Sequence, residues 1–224
     1  IAIDNYRPHV THAPAKNRHI GGIVLAIHPC LARYASINKL TLDPRGWGRW
    51  TGTTLIGRKR KIAIIATYGP TPNTNDKAID SMWQKQIKQM DKIPLAEKEN
   101  DPRYQYMADL EKTIHKLIKN NFEIILVGDI NIDHREDTDK ADKWKTIVTD
   151  TRLANTWARR WPTKITKAKT WRSKWLDHIY ISEEIGHGVY GAGIETGHTF
   201  YESDHNMIAV KINFSKILGR MNGP

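Results

Sequence analysis

The feature of the sequence that most constrains the fold is a short apolar segment, residues 122–127, that ends abruptly in Gly128-Asp129-Ile130-Asn131. The segment is interrupted only by Glu123, and an apolar run of this length predicts a central β-strand covered on both faces. Such a strand needs further strands beside it and helices over it, so the chain is predicted to fold as a mixed α/β domain.

Patterns on either side of this segment agree with that architecture. Residues 50–56 and 61–68, joined by a turn at 57–60, predict an antiparallel hairpin. Asp101-Pro102 predicts an N-cap followed by proline at the first position of a helix that runs to about residue 119. Further helices are predicted at 75–91 and 140–149, and further strands at 23–27, 169–172, 176–182, 189–195 and 207–214. We therefore expect two packed mixed β-sheets flanked by helices, in one domain over residues 1–214 with a tail or linker at 215–224.

The charge balance indicates which partners the chain can have. Its 224 residues include 35 Lys+Arg and 24 Asp+Glu, a formal net charge of +11, which favours polyanionic partners. The longest apolar stretches, 20–27 and 62–66, are far shorter than the roughly 18 residues of a membrane helix, so no membrane span is expected. Cys30 is the only cysteine, which excludes internal disulfides and cysteine-only zinc sites and fits an intracellular, reducing compartment.

The positive charge is concentrated in residues 151–175, a stretch without any acidic residue that also holds four of the eight tryptophans. Basic side chains neutralise phosphates and aromatic rings offer faces for bases, so this stretch predicts a nucleic-acid-binding surface. The alternative is a solvated basic surface whose tryptophans belong to the core.

The acidic run at 133–142 has two interpretations as well. It could be a metal-binding loop, but a helix cap with an acidic first turn is the favoured one.

Polar side chains stand at the ends of three predicted strands. Asp129 and Asn131 follow the central strand, and residues i and i+2 of an extended segment point the same way. Asp177 opens another strand, and Asp204-His205 comes directly before a third. If these groups converge, they form a carboxylate cluster with one imidazole. Such a cluster suits Mg²⁺ or Mn²⁺, and the histidine can bind phosphate or act as an acid or base.

Four motifs resemble those of a known superfamily in order and spacing. GDIN (128–131), LDHIYIS (176–182), SDHN (203–206) and IATYGPTPN (65–73) are similar to motifs of the endonuclease/exonuclease/phosphatase superfamily, and Thr170-Trp171 resembles its threonine–aromatic pair. That superfamily includes apurinic/apyrimidinic endonucleases, deoxyribonuclease I and the endonuclease domains of LINE-type retrotransposons. GGIVLAIH (21–28) and segment 47–50 resemble the retrotransposon branch most. The resemblance implies a four-layered α/β sandwich.

The resemblance also implies roles for individual residues in phosphodiester hydrolysis. Asp129 would orient or deprotonate the attacking water, and Asn131 would hold the scissile phosphate. His205 would contact a phosphate oxygen while Asp177 fixes its imidazole, and Asp204 would be a ligand to the Mg²⁺ or Mn²⁺ ion. The expected reaction is the nicking of DNA to leave a 3′-hydroxyl.

Other residues would contact the nucleic acid. By resemblance, Tyr68 would lie against the phosphate or the leaving oxygen, with Asn73 in support. The charge of the basic stretch adds Arg159, Arg160, Lys167 and Lys169, and by resemblance Arg172 and Trp175 lie where the superfamily has a DNA-contacting loop. The expected nucleic-acid contacts are Asn73, Arg159, Arg160, Lys167, Lys169, Arg172 and Trp175. DNA is the expected polyanion, with RNA as the alternative.

The sequence departs from the superfamily near its beginning. The Asn and Glu motifs that usually precede the strand resembling 23–27 are absent, and only about twenty residues lie upstream. We therefore expect the first strands to be missing and the sheet to be completed by another chain or by a reverse-transcriptase region. The leading expectation is a nuclear enzyme that is active in a full-length protein with those motifs, whereas this chain alone, which lacks them, is expected to be inactive. The alternative is a catalytically inactive relic that binds nucleic acid or has a structural role in a ribonucleoprotein or an organelle.

Overall fold

The computed structural model describes residues 9–12, 23–36, 43–72, 81–99, 101–195 and 203–219. The strands are β1 His9–His12, β2 Val24–Ile27, β3 Trp50–Ile56, β4 Lys61–Tyr68, β5 Phe122–Asp129, β6 Leu153–Asn155, β7 Asp177–Ser182, β8 Val189–Glu195 and β9 Met207–Ile212. The α-helices are α1 Pro29–Ala32, α2 Met82–Met90, α3 Pro102–Lys119, α4 Asp139–Asp150, α5 Thr156–Arg160 and α6 Phe214–Leu218. The 3-10 helices are Leu95–Glu97, Pro162–Lys167 and Glu183–Gly188.

A five-stranded mixed sheet in the order β3-β4-β5-β7-β6 forms the centre of the domain. β4 and β5 run parallel, and the other neighbouring pairs are antiparallel. The predicted hairpin is confirmed as β3 and β4. The segment 122–127 lies in β5, the middle strand, which continues two residues further, to Asp129.

Both faces of this sheet are covered. Helices α3 and α4 pack on one face through an apolar core that includes Tyr106, Leu110 and Trp144. The β8–β9 hairpin and α6 cover the other face, where Ile62, Ile125 and Ile181 are buried. This arrangement confirms the predicted α/β architecture of packed sheets flanked by helices, and β1 and β2 form a further two-stranded antiparallel sheet among the described residues. In the described part of the chain, the sheet formed by β8 and β9 has two strands.

Capping explains where α3 begins. The side chain of Asp101 accepts hydrogen bonds from the backbone N–H groups of Arg103 and Tyr104, and Pro102 occupies the first position of the helix. The predicted helix at 140–149 is confirmed as α4. Its N-cap is Thr138, and Asp139 lies in its first turn, where a negative charge interacts favourably with the helix dipole.

The structure differs from the predicted elements in three places. The strand predicted at 169–172 is wrong: Trp171 and Lys174 instead close a tight turn in which the N–H of Lys174 donates to Trp171 O. The short elements β6 and α5 follow α4 without a clear sequence signal. Beyond residue 214, α6 buries Ile217 in the core, so the domain boundary expected there falls inside a packed helix.

No helix in the described ranges combines the length and apolar character needed to cross a bilayer.

Candidate active site

The register of the central sheet brings three of the predicted site residues to one edge. Tyr68 at the end of β4 is opposite Asp129 at the end of the parallel strand β5. Asp129 is in turn opposite Asp177, the first residue of the antiparallel strand β7. These three residues therefore occupy adjacent positions across three hydrogen-bonded strands.

Gly128 permits this close approach of β5 to β4. Its φ of +144° lies in a region that side-chain-bearing residues rarely adopt, and a Cβ placed there would lie 1.9 Å from Thr67 O. A side chain at position 128 would therefore push Asp129 out of the ladder.

His205 joins Asp129 and Asp177 to form a cluster of three titratable groups. One donor atom from each residue lies within 4.8 Å of the others. Nδ1 of His205 donates a hydrogen bond to Asp177 Oδ2 over 2.8 Å. This pair is the one the resemblance implied.

The environment of the cluster shifts the pKa of two of its members. Burial, followed by the negative charge of Asp177, raises the pKa of Asp129 to about 6. Burial alone would lower the pKa of His205, but the hydrogen bond and the charge of Asp177 outweigh it and the pKa is raised. The imidazole is thus stabilised in its cationic form beside two carboxylates.

Asn131 enters the site by a different geometry from the one predicted. The strand ends at Asp129, and Asn131 has a φ of 56° instead of an extended conformation. Its backbone N–H donates to Asp129 Oδ1 (2.8 Å), and its Nδ2 donates to Gly69 O (2.7 Å). The amide oxygen has no hydrogen-bond partner among the described residues and remains available to a ligand. The two side chains meet through a local turn and not through strand alternation.

The predicted Thr170-Trp171 pair holds the LDHIYIS (176–182) and SDHN (203–206) motifs in place. The buried Oγ1 of Thr170 accepts hydrogen bonds from the N–H groups of Leu176 and Asp177, both over 3.0 Å. The carbonyl of Thr170 accepts from the N–H of Asn206, and Trp171 forms a β-bridge with His205. This segment therefore positions both members of the His205–Asp177 pair.

Asp204 lies apart from the cluster. Its Oδ2 accepts a hydrogen bond from Trp171 Nε1 (2.9 Å), and this bond is the main reason why its pKa is lowered. The described residues bring Asp129, Asp177 and His205 together as possible metal ligands, but not Asp204.

Two members of the cluster, Asp129 and His205, line an open cleft of about 710 Å³. Tyr68, Asn131 and Trp171 line this cleft, together with Arg103 from the first turn of α3. Nothing in the sequence singled out Arg103, because an arginine behind an N-cap is ordinary in a surface helix.

The donor atoms of the cluster fit a divalent ion. Asp129 and Asp177 would hold it through carboxylate oxygens, which are the ligands that Mg²⁺ and Mn²⁺ prefer. Nδ1 of His205 already donates to Asp177, so its other ring nitrogen is the one left for a ligand or a phosphate oxygen.

The acidic run at 133–142 includes the acidic first turn of a helix that the favoured interpretation predicts, because Asp139 and Asp142 lie in the first turn of α4. Asp133 is buried and paired with Arg135, and it also accepts the N–H of Trp175 (2.9 Å). Burial would raise the pKa of Asp133, but these hydrogen bonds lower it to about 2. Arg135 also donates to Ala168 O (2.7 Å) and so ties the basic stretch to this loop, a role that the sequence did not reveal.

Trp175 does not form part of an exposed binding surface. Its side chain is 1% exposed, and its ring packs against His134 and His178 at centroid distances of 4.7 and 4.9 Å. The prediction that its ring contacts nucleic acid is wrong for this conformation, because no face of the ring is open to a base. For this residue the alternative of a core tryptophan holds.

The basic residues predicted to contact nucleic acid lie in different parts of the structure. Arg172 stacks over Trp171 (4.6 Å to the ring centroid), and that ring lies 6.3 Å from the ring of His205. Arg160, the last residue of α5, stacks over the ring of Trp161 (5.1 Å to the ring centroid). Arg159 packs instead against Gly186, in the 3-10 helix at the opposite end of β7 from Asp177. Lys167 and Lys169 are exposed, and Asn73 lies outside the described residues.

Comparisons with known proteins support the fold. No protein-family model and no curated protein sequence matches the chain. An AP endonuclease from Archaeoglobus fulgidus superposes with a TM-score of 0.60 at 14% identity, over 92% of this chain and 79% of that one.

Two further structures match over a smaller share. They are a variant of the 3′ phosphatase NExo from Neisseria bound to product DNA hairpin (16% identity, TM-score 0.48, 74% of this chain) and the endonuclease domain of TRAS1, a telomere-specific non-LTR retrotransposon (15%, 0.47, 74%). The chain spans just under two thirds of their lengths, 65% and 64%. At these identities a structural likeness establishes the fold and not the activity.

Proposed function

We propose that this chain, which has the fold of the endonuclease/exonuclease/phosphatase superfamily, is a nuclease domain that hydrolyses phosphodiester bonds of DNA with the help of a divalent metal ion. The observation that carries the proposal is the convergence of Asp129, Asp177 and His205 within 4.8 Å, with Asp129 and His205 lining an open cleft. Three motifs far apart in the sequence supply these groups, and a relic that only binds nucleic acid has no need for the cluster. We therefore favour the enzyme over the inactive relic.

The residues of the cleft can carry out the steps of in-line hydrolysis. Asp129 is largely ionised at neutral pH with a pKa of about 6, so it can orient a water molecule and accept its proton. His205, held by Asp177, directs a cationic imidazole at a phosphate oxygen where negative charge develops. The amide of Asn131 can donate to or accept from the substrate. A bound Mg²⁺ or Mn²⁺ would neutralise phosphate charge.

We also propose that the reaction is a retrotransposon-type nick that leaves a 3′-hydroxyl for reverse transcription. The resemblance of residues 21–28 and 47–50 to retrotransposon endonucleases and the exposed cations Lys167, Lys169 and Arg172 support a long DNA substrate over a small phosphate ester. The proposal extends to an intracellular, nuclear location and to a reverse-transcriptase region or another chain that completes the sheet.

Nicking of supercoiled plasmid in the presence of Mg²⁺ tests the proposed site. We expect the wild type to convert plasmid to the open-circular form, and Asp129→Ala and His205→Ala to lose at least about a hundredfold in rate. The matched control is Asp150→Ala, which removes an exposed carboxylate at the end of α4 and should nick normally. Equal nicking by all variants would refute the site. Tight DNA binding without any nicking would instead support the inactive relic.

The chemistry of the 3′ end is tested separately. We expect a DNA polymerase to extend the nicked strand directly, because extension requires a free 3′-hydroxyl. Extension only after phosphatase treatment would show that a 3′-phosphate is formed, and would rule out the proposed bond cleavage.

A further inference from the structure

Arg103 occupies an unusual position on the wall of the candidate active site. It lies in the first turn of α3, and its side chain lines the same cleft as Asp129, Asn131 and His205. Its Nε donates to Pro70 O (3.2 Å) in the loop that follows Tyr68. That bond orients the guanidinium on the cleft wall.

The terminal amino groups of Arg103 have no hydrogen-bond or salt-bridge partner among the described residues. The other two Lys or Arg side chains that line the cleft in the described ranges are both paired. Lys140 lies 3.4 Å from Asp101, and Lys174 lies 2.8 Å from Glu136. Arg103 is thus, within the described ranges, the Lys or Arg side chain of this cleft that forms no ion pair.

A half-buried guanidinium whose terminal amino groups lack hydrogen-bond partners is costly, because its hydration is only partly replaced. Burial lowers the pKa of Arg103, an effect that the charges of Asp101 and Asp129 partly oppose. An anion entering the cleft would restore the missing hydrogen bonds. A guanidinium presents its N–H groups in a planar fork, which matches two oxygens of a phosphate group.

We propose that Arg103 binds a phosphate group of the DNA strand held in this cleft, on the wall formed by α3. The proposal rests on the proposed function, since it assigns the cleft a phosphodiester substrate. His205 and the turn at 171–174 line the cleft as well, so the strand would contact cations both from α3 and from the segments around β7. Arg103 then acts in substrate positioning and not in proton transfer.

The salt dependence of DNA binding measures this contact without relying on cleavage. Affinity for a labelled duplex is measured in EDTA at several salt concentrations, with the wild type, Arg103→Gln, Arg103→Lys and Lys112→Gln. Lys112→Gln is the matched control, because it removes the same charge from an exposed position on the same helix. Thermal unfolding of each variant confirms that it is folded.

We expect Arg103→Gln to bind about tenfold to a hundredfold more weakly and to reduce the slope of log K against log salt by about 0.9. Arg103→Lys should keep the slope of the wild type but recover only part of the affinity, because lysine cannot form the planar fork. Lys112→Gln should match the wild type. A slope and affinity for Arg103→Gln equal to those of Lys112→Gln would overturn the proposal.

Duplexes with one neutral methylphosphonate linkage identify the phosphate that is contacted. At the contacted position, the neutral linkage should weaken binding by the wild type but not by Arg103→Gln. If no position shows this difference, Arg103 contacts no phosphate and the proposal is wrong. If the wild type nicks DNA but no linkage shows this difference, only the role of Arg103 is refuted. If the wild type does not nick DNA at all, the proposed function is refuted.

Discussion

Replacement of Thr170 by valine tests how the loop before β7 holds the candidate active site. The two residues have nearly the same shape, so Thr170→Val removes the hydroxyl without creating a cavity. In the structure, that hydroxyl accepts the backbone N–H groups of Leu176 and Asp177, each over 3.0 Å, and Thr170 is fully buried.

The expected loss follows from these two bonds. A buried N–H without an acceptor costs about 1–3 kcal/mol, and the N–H of Asp177 is only partly buried, so the free energy of unfolding should fall by roughly 2–4 kcal/mol. For a chain of this size that corresponds to a decrease in Tm of about 5–15 °C. Because Asp177 fixes His205, nicking should also slow at temperatures where the variant is fully folded.

Urea unfolding followed by circular dichroism measures the loss, with Thr166→Val as the control. Thr166 is exposed in the same segment, and its side chain makes no hydrogen bond within the described residues, so its removal should change stability by less than about 0.5 kcal/mol. If Thr170→Val were as stable as Thr166→Val, the hydroxyl would not be the acceptor of these N–H groups. If stability fell but nicking by the folded variant were unchanged, the proposed link to Asp177 would be wrong.

Three further predictions concern stability. Burial, followed by repulsion from His134, lowers the pKa of His178 to about 3 against about 6.5 when unfolded, so the unfolded state takes up the proton first. Stability should therefore fall by roughly 2–3 kcal/mol between about pH 7 and pH 4.5, and urea unfolding of His178→Gln should lack this part of the pH dependence. Gly128→Ala should lower the free energy of unfolding by about 3 kcal/mol or more, or prevent folding, because its Cβ meets Thr67 O. The control Gly193→Ala, where the nearest atom is 3.5 Å away, should lower it by less than about 1 kcal/mol in the same assay. Arg135→Met should leave Asp133 buried without its partner and lower the free energy of unfolding by roughly 3 kcal/mol. Trypsin should then cleave within 159–174 faster than in the wild type, because Arg135 no longer binds Ala168 O. Unchanged cleavage would show that Arg135 does not hold the basic stretch.

The elements with local signals could be predicted from the sequence. The apolar run at 122–127 indicated the middle strand of the sheet, and Asp101-Pro102 indicated the start of α3. The positions at strand ends predict that Asp129, Asp177, Asp204 and His205 converge, and the structure brings together all of these except Asp204. Their register could not be derived in this way, because it depends on which strands pair and in which direction.

The errors arose where composition does not determine the direction of a side chain. Trp175 lies in the most basic stretch of the chain, yet it is buried, since neighbouring residues of a turn can face opposite sides. The sequence does not single out Arg103, because its position in the cleft and its lack of an ion pair depend on the tertiary structure. The sequence does not predict the helix α6 either, because five residues are too few to show helical periodicity.

The order of the site residues along the chain has a consequence for protein synthesis. Tyr68 and Asp129 leave the ribosome early, the basic stretch at 151–175 follows, and His205 comes last. A nascent chain that has not yet reached residue 205 can already display its cations, but its cluster of two carboxylates still lacks the imidazole. Under the proposed function, attraction to nucleic acid would therefore precede the ability to cut it, and the segment that carries His205 would control when cutting can begin.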